Sequence, residues 1–278
     1  MFLQNSTEKG RKGYKVLLID ADPQGSLSAS LGIVEPDKLD ITLTTIMENI
    51  INEEEVDLNM GLLHNEEGVD FIPANIELSA LEIGLISAMR REYVLSRYIE
   101  KMREYYDYIL IDCMPSLGMI TMNVLTCADS VLIPCEAAYL PVKGLQQLIK
   151  TIGKIKRNLN PKLVILGIVI TKVDNRTNYA KEISELLRTT YSSNIKIFNS
   201  MIPVNVKVAE SSAEGKCVYA FAPKSKATKA YETFIHIFQS KPQKPRKPSQ
   251  NRAFPGKKRR FITMIKVLFI CHGKSRDR

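Results

Sequence analysis

Residues 16–25 read Val-Leu-Leu-Ile-Asp-Ala-Asp-Pro-Gln-Gly, an apolar run that ends in two aspartates, a proline and a glycine. Four consecutive apolar residues predict a strand that is buried on both faces, as the strands of a parallel sheet are. Asp20 and Asp22 then stand at the carboxyl end of that strand, where open α/β sheets bind their ligands. A D-x-D sequence alone is equally well a helix cap, but a carboxylate that ends a buried strand needs a hydrogen bond, a counter-charge or a metal. Because Gly25 also lets the backbone approach a ligand, the stretch predicts a site for a metal-bound phosphate.

A second apolar run ends in the same way. Residues 106–118 read Tyr-Asp-Tyr-Ile-Leu-Ile-Asp-Cys-Met-Pro-Ser-Leu-Gly, so that Asp112 closes a strand and a turn with proline and glycine follows. This is the Walker B arrangement, in which the carboxylate holds Mg²⁺ through its water shell. One such strand is common in proteins. Two in one chain, each followed by a Pro/Gly turn, are much more specific.

Strands and helices alternate along the chain. This order predicts an α/β fold in which a doubly wound, mostly parallel sheet has helices on both faces. Strands are predicted at 15–19, 69–72, 108–111, 130–134, 163–171 and 195–201. Helices are predicted at 43–49, 80–86, 92–105, 117–126, 145–158, 180–191 and 224–238.

The composition is that of a soluble globular protein, since 278 residues that are 45% hydrophobic and 25% charged suffice for one large α/β domain. The longest apolar stretch, residues 163–170, is too short to cross a membrane. Residues 1–13 contain no apolar segment of the kind that secretory signals have. The five cysteines are scattered and lack metal-ligand spacing, which favours free thiols in a reducing compartment. We therefore expect a cytoplasmic protein that makes no membrane contact.

The excess of basic charge is confined to the C-terminal part of the chain. The net charge is +9, yet residues 240–278 hold 13 of the 39 Lys and Arg and one acidic residue, which leaves −3 over residues 1–239. Frequent prolines and like charges predict a disordered tail over 240–278 after a folded domain over 1–239. The tail could bind DNA phosphates non-specifically, or it could be a solubilising extension. A strand-like run at 265–270 is expected to lack a partner strand, because one strand cannot form a domain.

The motifs as a set resemble the ParA/Soj partition ATPases, which are deviant-Walker P-loop proteins. The likeness covers roughly residues 12–238, and seven separate motifs stand in the family's order. They are Asp-Ala-Asp-Pro-Gln-Gly at 20–25, Asp-Cys-Met-Pro-Ser-Leu-Gly at 112–118, Ala-Asp-Ser-Val-Leu-Ile-Pro at 128–134, Gly-Leu-Gln-Gln-Leu at 144–148, Thr-Lys-Val-Asp at 171–174, Ile-Pro-Val-Asn-Val-Lys at 202–207 and Pro-Lys-Ser-Lys-Ala at 223–227.

This resemblance implies ATP and Mg²⁺ as cofactors and a role for each matching position. Asp20 and Asp112 would belong to the Mg²⁺ shell, and Asp22 would position the attacking water. Ser116 to Gly118 would form a switch that senses the terminal phosphate. For the basic positions, a solvated surface residue is an equal alternative to a DNA contact. The further implied contacts are Gly25 with the nucleotide, Pro203 and Asn205 with adenine, and Lys207, Lys224 and Lys226 with DNA.

The resemblance also implies partners. In the family, ATP drives dimerisation and DNA binding, and a ParB-type protein stimulates hydrolysis. We therefore expect a homodimer, a ParB-type partner, non-specific DNA and a location on the nucleoid, with ATP hydrolysis coupled to chromosome or plasmid partition. An electron-transfer relative such as the nitrogenase iron protein is set aside, because no cysteine pattern in this chain would hold a cluster.

Two departures from the family pattern affect the expected activity. Met114 stands where the family has proline. The family also begins with a central strand and the loop K-G-G-x-G-K-T, whose N–H groups and lysine bind phosphates, whereas residues 1–13 match only the end of the helix after that loop. We therefore expect the first strand and the P-loop to be missing, a gap and lower stability in the sheet, and negligible ATP hydrolysis. The alternative is a non-catalytic remnant that keeps only a DNA- or partner-binding surface.

Residues 264–273, Met-Ile-Lys-Val-Leu-Phe-Ile-Cys-His-Gly, resemble a second family, the low-molecular-weight tyrosine phosphatases, at their opening strand and nucleophile. Those enzymes need Cys-x5-Arg, so that a thiolate and an arginine share one phosphate. Here Arg276 follows Cys271 after four intervening residues and Arg278 after six. We therefore expect no phosphatase activity.

Overall fold

The computed structural model of the protein describes residues 13–116, 118–240 and 260–265. The strands in these segments are β1 (Val16–Ala21), β2 (Leu63–Asn65), β3 (Val69–Ile72), β4 (Tyr108–Cys113), β5 (Ser130–Glu136), β6 (Val164–Thr171) and β7 (Arg260–Ile265). They form one sheet in the order β2-β3-β1-β4-β7-β5-β6, in which only the β2–β3 pair is antiparallel. This largely parallel sheet confirms the predicted fold class.

Helices alternate with the strands along the chain. Within the described segments, no helix combines the length and the apolar character needed to cross a membrane. The helices are α1 (Ser26–Ser30), α2 (Leu43–Ile51), α3 (Glu77–Gly84), α4 (Val94–Met102), α5 (Met119–Cys127), α6 (Tyr139–Asn158), α7 (Asn178–Tyr191), α8 (Val206–Ala213), α9 (Val218–Phe221) and α10 (Lys226–Ser240), and short 3-10 turns lie at Pro36–Lys38, Leu85–Ser87 and Arg91–Tyr93.

Two apolar clusters pack against the sheet, one on each face. Successive side chains of a strand point to opposite faces. In β1, Leu17 and Ile19 therefore join one cluster, whereas Leu18 joins the other. All six residues of β1 are buried, as its continuous apolar run predicted. With both faces covered, the carboxyl ends of the strands are the place where a ligand can meet the sheet.

The strand β7 corrects one expectation drawn from the sequence. All six of its residues pair in parallel with β4, and Thr263 also pairs with Val131 of β5. The predicted gap is therefore wrong. This prediction failed because the open edges of β4 and β5 offer backbone groups that any extended segment can satisfy. Of the run 265–270, only Ile265 is described, so its expected lack of a partner strand stays a prediction, as does the domain division at residue 239.

The segment predicted as the last strand before the tail, residues 195–201, does not form a regular strand. It runs beside β6 and pairs with it through an isolated bridge between Ile168 and Ile197. Gly167 has a φ of 146°, and a Cβ at this position would clash with the carbonyl oxygen of Lys196. The apolar pattern therefore predicted the burial of this segment, but not the irregular pairing.

Helix boundaries differ from the prediction where the sequence signal is ambiguous. α6 begins at Tyr139, six residues before the predicted start. Pro141 falls in its first turn, where the missing N–H costs no helical hydrogen bond. The helices α1, α8 and α9 were not predicted, because five, eight and four residues show little periodicity.

Candidate functional site

The two aspartates that the sequence marked lie next to each other at one edge of the sheet. β1 and β4 are neighbouring parallel strands, and Asp20 is the direct register partner of Asp112. Adjacent strands are about 4.8 Å apart, so both carboxylates belong to the same carboxyl edge. Asp20 is fully buried and Asp112 is 6% exposed. The arrangement therefore holds two buried acidic groups where open α/β sheets bind ligands.

Asp20 is held by donors from the residues that follow it. Its Oδ2 accepts hydrogen bonds from the N–H and the hydroxyl of Ser28, both at 2.8 Å, and its Oδ1 accepts one from the N–H of Asp22 at 3.2 Å. Burial raises the pKa of the Asp20 carboxyl from 3.8 to about 6, although these hydrogen bonds act in the opposite direction. A divalent cation next to this carboxylate would offset the cost of its buried charge.

Ser28 is a site residue that the sequence did not reveal. It lies in α1, is fully buried, and its hydroxyl also accepts a hydrogen bond from the N–H of Ala74 at 3.2 Å. It therefore connects the carboxylate at the end of β1 with the segment that follows β3. The sequence Gly-Ser-Leu-Ser does not distinguish this serine from Ser26, because the contact with Ala74 spans 46 residues.

The turn from Asp22 to Gly25 connects the carboxylate to α1. The N–H of Gly25 donates to the Asp22 carbonyl oxygen at 2.9 Å, and the N–H of Gln24 donates to Asp22 Oδ1 at 3.0 Å. Gly25 has a φ of 59°, and a Cβ there would lie 3.0 Å from the carbonyl oxygen of Ala74. The position therefore requires glycine, and the close approach it allows is one between two segments of the protein's own backbone. Asp22 itself is half-buried.

The loop after β4 is closed by hydroxyl groups. The hydroxyl of Thr121 donates to the Met114 carbonyl oxygen at 3.1 Å and lies 2.9 Å from the hydroxyl of Ser116. The N–H of Gly118 donates to Ser116 Oγ at 3.3 Å. Ser116 and Gly118 thus meet at the start of α5, shortly after Asp112, while residue 117 lies outside the described part of the chain.

The pair of carboxylates fits one kind of metal site. In the segments that the structure describes, no group of three or more His, Cys, Asp or Glu side chains could hold a metal by itself. Mg²⁺ in phosphate-binding sites is held by one or two carboxylates and completes its shell with phosphate oxygens and water. Asp20 and Asp112 therefore fit a magnesium ion that is shared with a phosphate group, not a site built from protein ligands alone.

Pro203 and Asn205 also lie at the carboxyl edge of the sheet, but beyond β6. Pro203 forms a parallel bridge with Val173, which follows β6. Asn205 is the N-cap of α8, and its Oδ1 accepts a hydrogen bond from the N–H of Lys207 at 2.9 Å. The strands β7 and β5 lie between β4 and β6, so these residues stand apart from the carboxylate pair. The structure thus gives Asn205 a capping role that its motif did not indicate.

Lys207, Lys224 and Lys226 are all exposed. The ammonium group of Lys207 lies 5.8 Å from the centre of the Phe221 ring. Lys224 lies in the connection that follows Phe221, and Lys226 is the first residue of α10. Lys207 also forms an exposed ion pair with Glu210 at 2.7 Å, a kind of pair that contributes little in water. The three lysines therefore form a candidate contact for phosphate groups.

The buried cysteines near the site are part of the core and take no part in ligand binding or catalysis. Burial raises the pKa of Cys113, which follows Asp112, and raises the pKa of Cys135 to about 12. Such thiols stay protonated and unreactive. The cysteines of the described residues, Cys113, Cys127, Cys135 and Cys217, are buried thiols that form no disulfide, as the sequence predicted.

The sequence is similar to proteins of known families. It matches the model of an AAA domain, AAA_31, over residues 6–165. It is 36% identical to the sporulation initiation inhibitor protein Soj of Bacillus subtilis, over 79% of this chain and 84% of that protein. It is 37% identical to the chromosome partitioning protein ParA of Caulobacter vibrioides, over 79% of this chain and 80% of that protein.

Solved structures share the fold over most of the chain. Cobyrinic acid a,c-diamide synthase from Mycobacterium smegmatis, with bound ATP analog and magnesium, has a TM-score of 0.72 and 30% identity, and the match covers 86% of this chain and 90% of that one. A putative plasmid partition protein from Borrelia burgdorferi, bound to AMPPNP, has a TM-score of 0.64 and 25% identity, with 84% and 89% covered. Since these two proteins are named for different activities, the shared fold alone does not determine which activity this chain has.

Proposed function

Because the chain belongs to the ParA/Soj family of partition ATPases, we propose that it binds ATP with Mg²⁺ at the carboxyl edge of β1 and β4 and serves chromosome or plasmid partition. The observation that carries this proposal is the register pairing of Asp20 with Asp112, two buried carboxylates at one ligand edge. Two structural relatives support the choice of ligand, since one is described with an ATP analog and magnesium and the other with AMPPNP.

Each residue near the carboxylate pair has a proposed task. ATP and Mg²⁺, when bound, supply the phosphoanhydride and a divalent charge beside it. Asp20 and Asp112 hold the metal ion directly or through its water shell. Asp22, which is half-buried, orients a water molecule toward the terminal phosphate. Ser116 and Gly118 contact that phosphate through their hydroxyl and backbone N–H groups.

The remainder of the nucleotide is proposed to lie along the carboxyl edge toward β6. Pro203 and Asn205 would then contact the adenine end, and Gly25 would contribute a backbone contact on the β1 side. Asn205 can contact adenine and still cap α8, since its Oδ1 accepts from the N–H of Lys207 while its side-chain amide N–H groups can donate to the nucleotide.

We propose slow hydrolysis for a polypeptide of these 278 residues. The sequence contains no G-x-x-x-x-G-K-[ST] motif, and that loop supplies the N–H groups, lysine and hydroxyl that bind the phosphates and Mg²⁺. Positioning and electrostatic stabilisation provide most of the catalysis in phosphoryl transfer. The same missing motif favours a second candidate function, a non-catalytic protein that keeps a DNA- or partner-binding surface.

Partners are proposed from the family. Non-specific DNA would contact Lys207, Lys224 and Lys226, all of which are exposed. A ParB-type protein and a second copy of the chain are the proposed protein partners, and the nucleoid in the cytoplasm is the proposed location.

Nucleotide binding and phosphate release separate the two candidate functions. A fluorescent ATP analogue is titrated into the wild-type protein with Mg²⁺ and with EDTA, and phosphate release is compared with that of Asp22→Ala. We expect Mg²⁺-dependent binding and a phosphate release no faster than in the variant. Release well above the variant would refute slow hydrolysis, and absence of nucleotide binding would leave the non-catalytic function.

DNA binding is tested through its salt dependence. Lys224→Ala removes one proposed phosphate contact, and Lys150→Ala is the matched control, because Lys150 is an exposed lysine of α6 outside the proposed DNA contact. The slope of log K against log[salt] should fall by about 0.9 in Lys224→Ala and stay unchanged in the control. Equal slopes in all three proteins would refute this DNA surface.

A further inference from the structure

The first turn of α5 is capped by a carboxylate from another helix. Gly118 is the N-cap residue of α5, and it has no side chain with which to cap the helix. The N–H of Ile120, in the first turn, instead donates to Oε1 of Glu82 in α3 at 3.3 Å. The first N–H groups of a helix lack partners within it, and a negative charge near them is stabilising. Glu82 therefore supplies the cap that the sequence of α5 itself does not.

The contact between Glu82 and Gly118 leaves no room for a side chain at position 118. A Cβ built on Gly118 would overlap the carboxylate of Glu82. The start of α5 and α3 are thus in contact through the backbone of Gly118 and the side chain of Glu82. Because packed atoms cannot overlap, a movement of Gly118 toward α3 must displace Glu82.

An exposed apolar surface begins near the end of α3 and continues into the residues that follow it. Ile83 is 72% exposed, Ile86 is 60% exposed and Met89 is 90% exposed. On the other side of the same segment, Leu81 and Leu85 are buried in the core. Glu82 is half-buried and directly precedes Ile83, the first residue of the apolar surface formed by Ile83, Ile86 and Met89.

We propose that Glu82 is a positioning residue that couples the start of α5, with Ser116 and Gly118, to this apolar surface. The proposal rests on the proposed function for its trigger, a terminal phosphate at Ser116 and Gly118. A phosphate there and the Glu82 carboxylate are both anions, and both would be stabilised by the N–H groups at the start of α5. Two like charges at one helix terminus repel each other. Phosphate binding therefore displaces Glu82 and loosens α3 together with the apolar surface that continues from its end.

Amide hydrogen exchange of the full chain without nucleotide tests the coupling first. Glu82→Ala removes the only acceptor that the described residues offer to the Ile120 N–H, so its exchange should rise on the order of tenfold, and α3 should exchange faster as well. Glu100→Ala, on the exposed face of α4, is the control and should change neither segment. Glu82→Gln keeps a side-chain oxygen as acceptor and should restore at least half of the protection that Glu82→Ala loses at Ile120. If the alanine variant misfolds, the glutamine variant takes its place in the test.

The nucleotide arm separates coupling from a merely structural role. With Mg²⁺ and a non-hydrolysable ATP analogue, exchange in α3 should rise severalfold in the wild type and by less than half as much in Glu82→Gln, which lacks the repelling charge. Unchanged Ile120 exchange in Glu82→Ala, or an equal nucleotide response in both proteins, would overturn the proposal. If the wild type does not bind the analogue, the proposed function fails, and the comparison without nucleotide alone decides the role of Glu82.

Discussion

The β1–β4 pair and β7 are neighbours in one sheet, yet their positions have different origins. β1 and β4 are apolar runs that end in Asp20 and Asp112, and both strands were predicted to within two residues at each end. β7 reads Arg-Phe-Ile-Thr-Met-Ile and follows a segment rich in proline and lysine. Its place is defined by the two open strand edges that it joins. The comparison teaches that apolar side chains specify β1 and β4 as buried strands. The position of β7 between β4 and β5 depends instead on the unpaired N–H and C=O groups at the edges of those two strands.

A proline in β7 is the strongest test of this comparison. Thr263 pairs with Ile111 and with Val131, so Thr263→Pro removes a ladder hydrogen bond in the interior of the sheet. We expect the free energy of unfolding in urea to fall by about 3 kcal/mol or more. Thr263→Val keeps the backbone donor and should change it by less than about 0.5 kcal/mol. An unchanged urea midpoint in the proline variant would mean that β7 does not join the two parts of the sheet.

Gly25→Ala tests the β1 side with a smaller expected effect. The φ of 59° is costly for alanine, and its Cβ would meet the Ala74 carbonyl oxygen at 3.0 Å. We expect a loss of about 2 kcal/mol in the free energy of unfolding. The matched control is Gly84→Ala, because Gly84 has helical dihedral angles and open space around its Cβ position. If both variants have the same stability, the turn after β1 does not need its left-handed glycine.

The pH dependence of stability sharpens the comparison at Asp20. Its pKa is raised from 3.8 to about 6, so between about pH 4 and pH 6 the folded protein binds more protons than the unfolded chain, and acidification favours folding there. In buffer with EDTA, lowering the pH from 7.5 to 5 should add roughly 1 kcal/mol of stability through this group. Asp20→Asn should lack this increment in parallel urea titrations. If the wild type and Asp20→Asn gain the same stability on acidification, Asp20 is not the buried carboxylate that takes up the proton.

The sequence predicted those parts of the site that lie within one short segment. The run ending in Asp20 and the run ending in Asp112 each carry a local signal, because burial and a following turn are visible in consecutive residues. Ser28 and Glu82 act through contacts with Ala74 and Ile120 that span 46 and 38 residues. Such contacts depend on how elements pack, and no local pattern marks them. β7 was missed for the same reason, since its partners lie more than a hundred residues away.

Nucleotide affinity at the carboxylate edge tests the proposed magnesium–nucleotide site most directly. A fluorescent ATP analogue is titrated into the wild type, Asp112→Asn and Asp107→Asn, each with Mg²⁺ and with EDTA. Asp107 is the matched control, because it precedes β4 at the opposite end, where it accepts a hydrogen bond from the N–H of Lys15 at 3.0 Å. We predict Mg²⁺-dependent binding in the wild type and in Asp107→Asn, and at least a tenfold loss of affinity in Asp112→Asn. Equal affinity in all three proteins, or binding that EDTA leaves unchanged, would contradict the site.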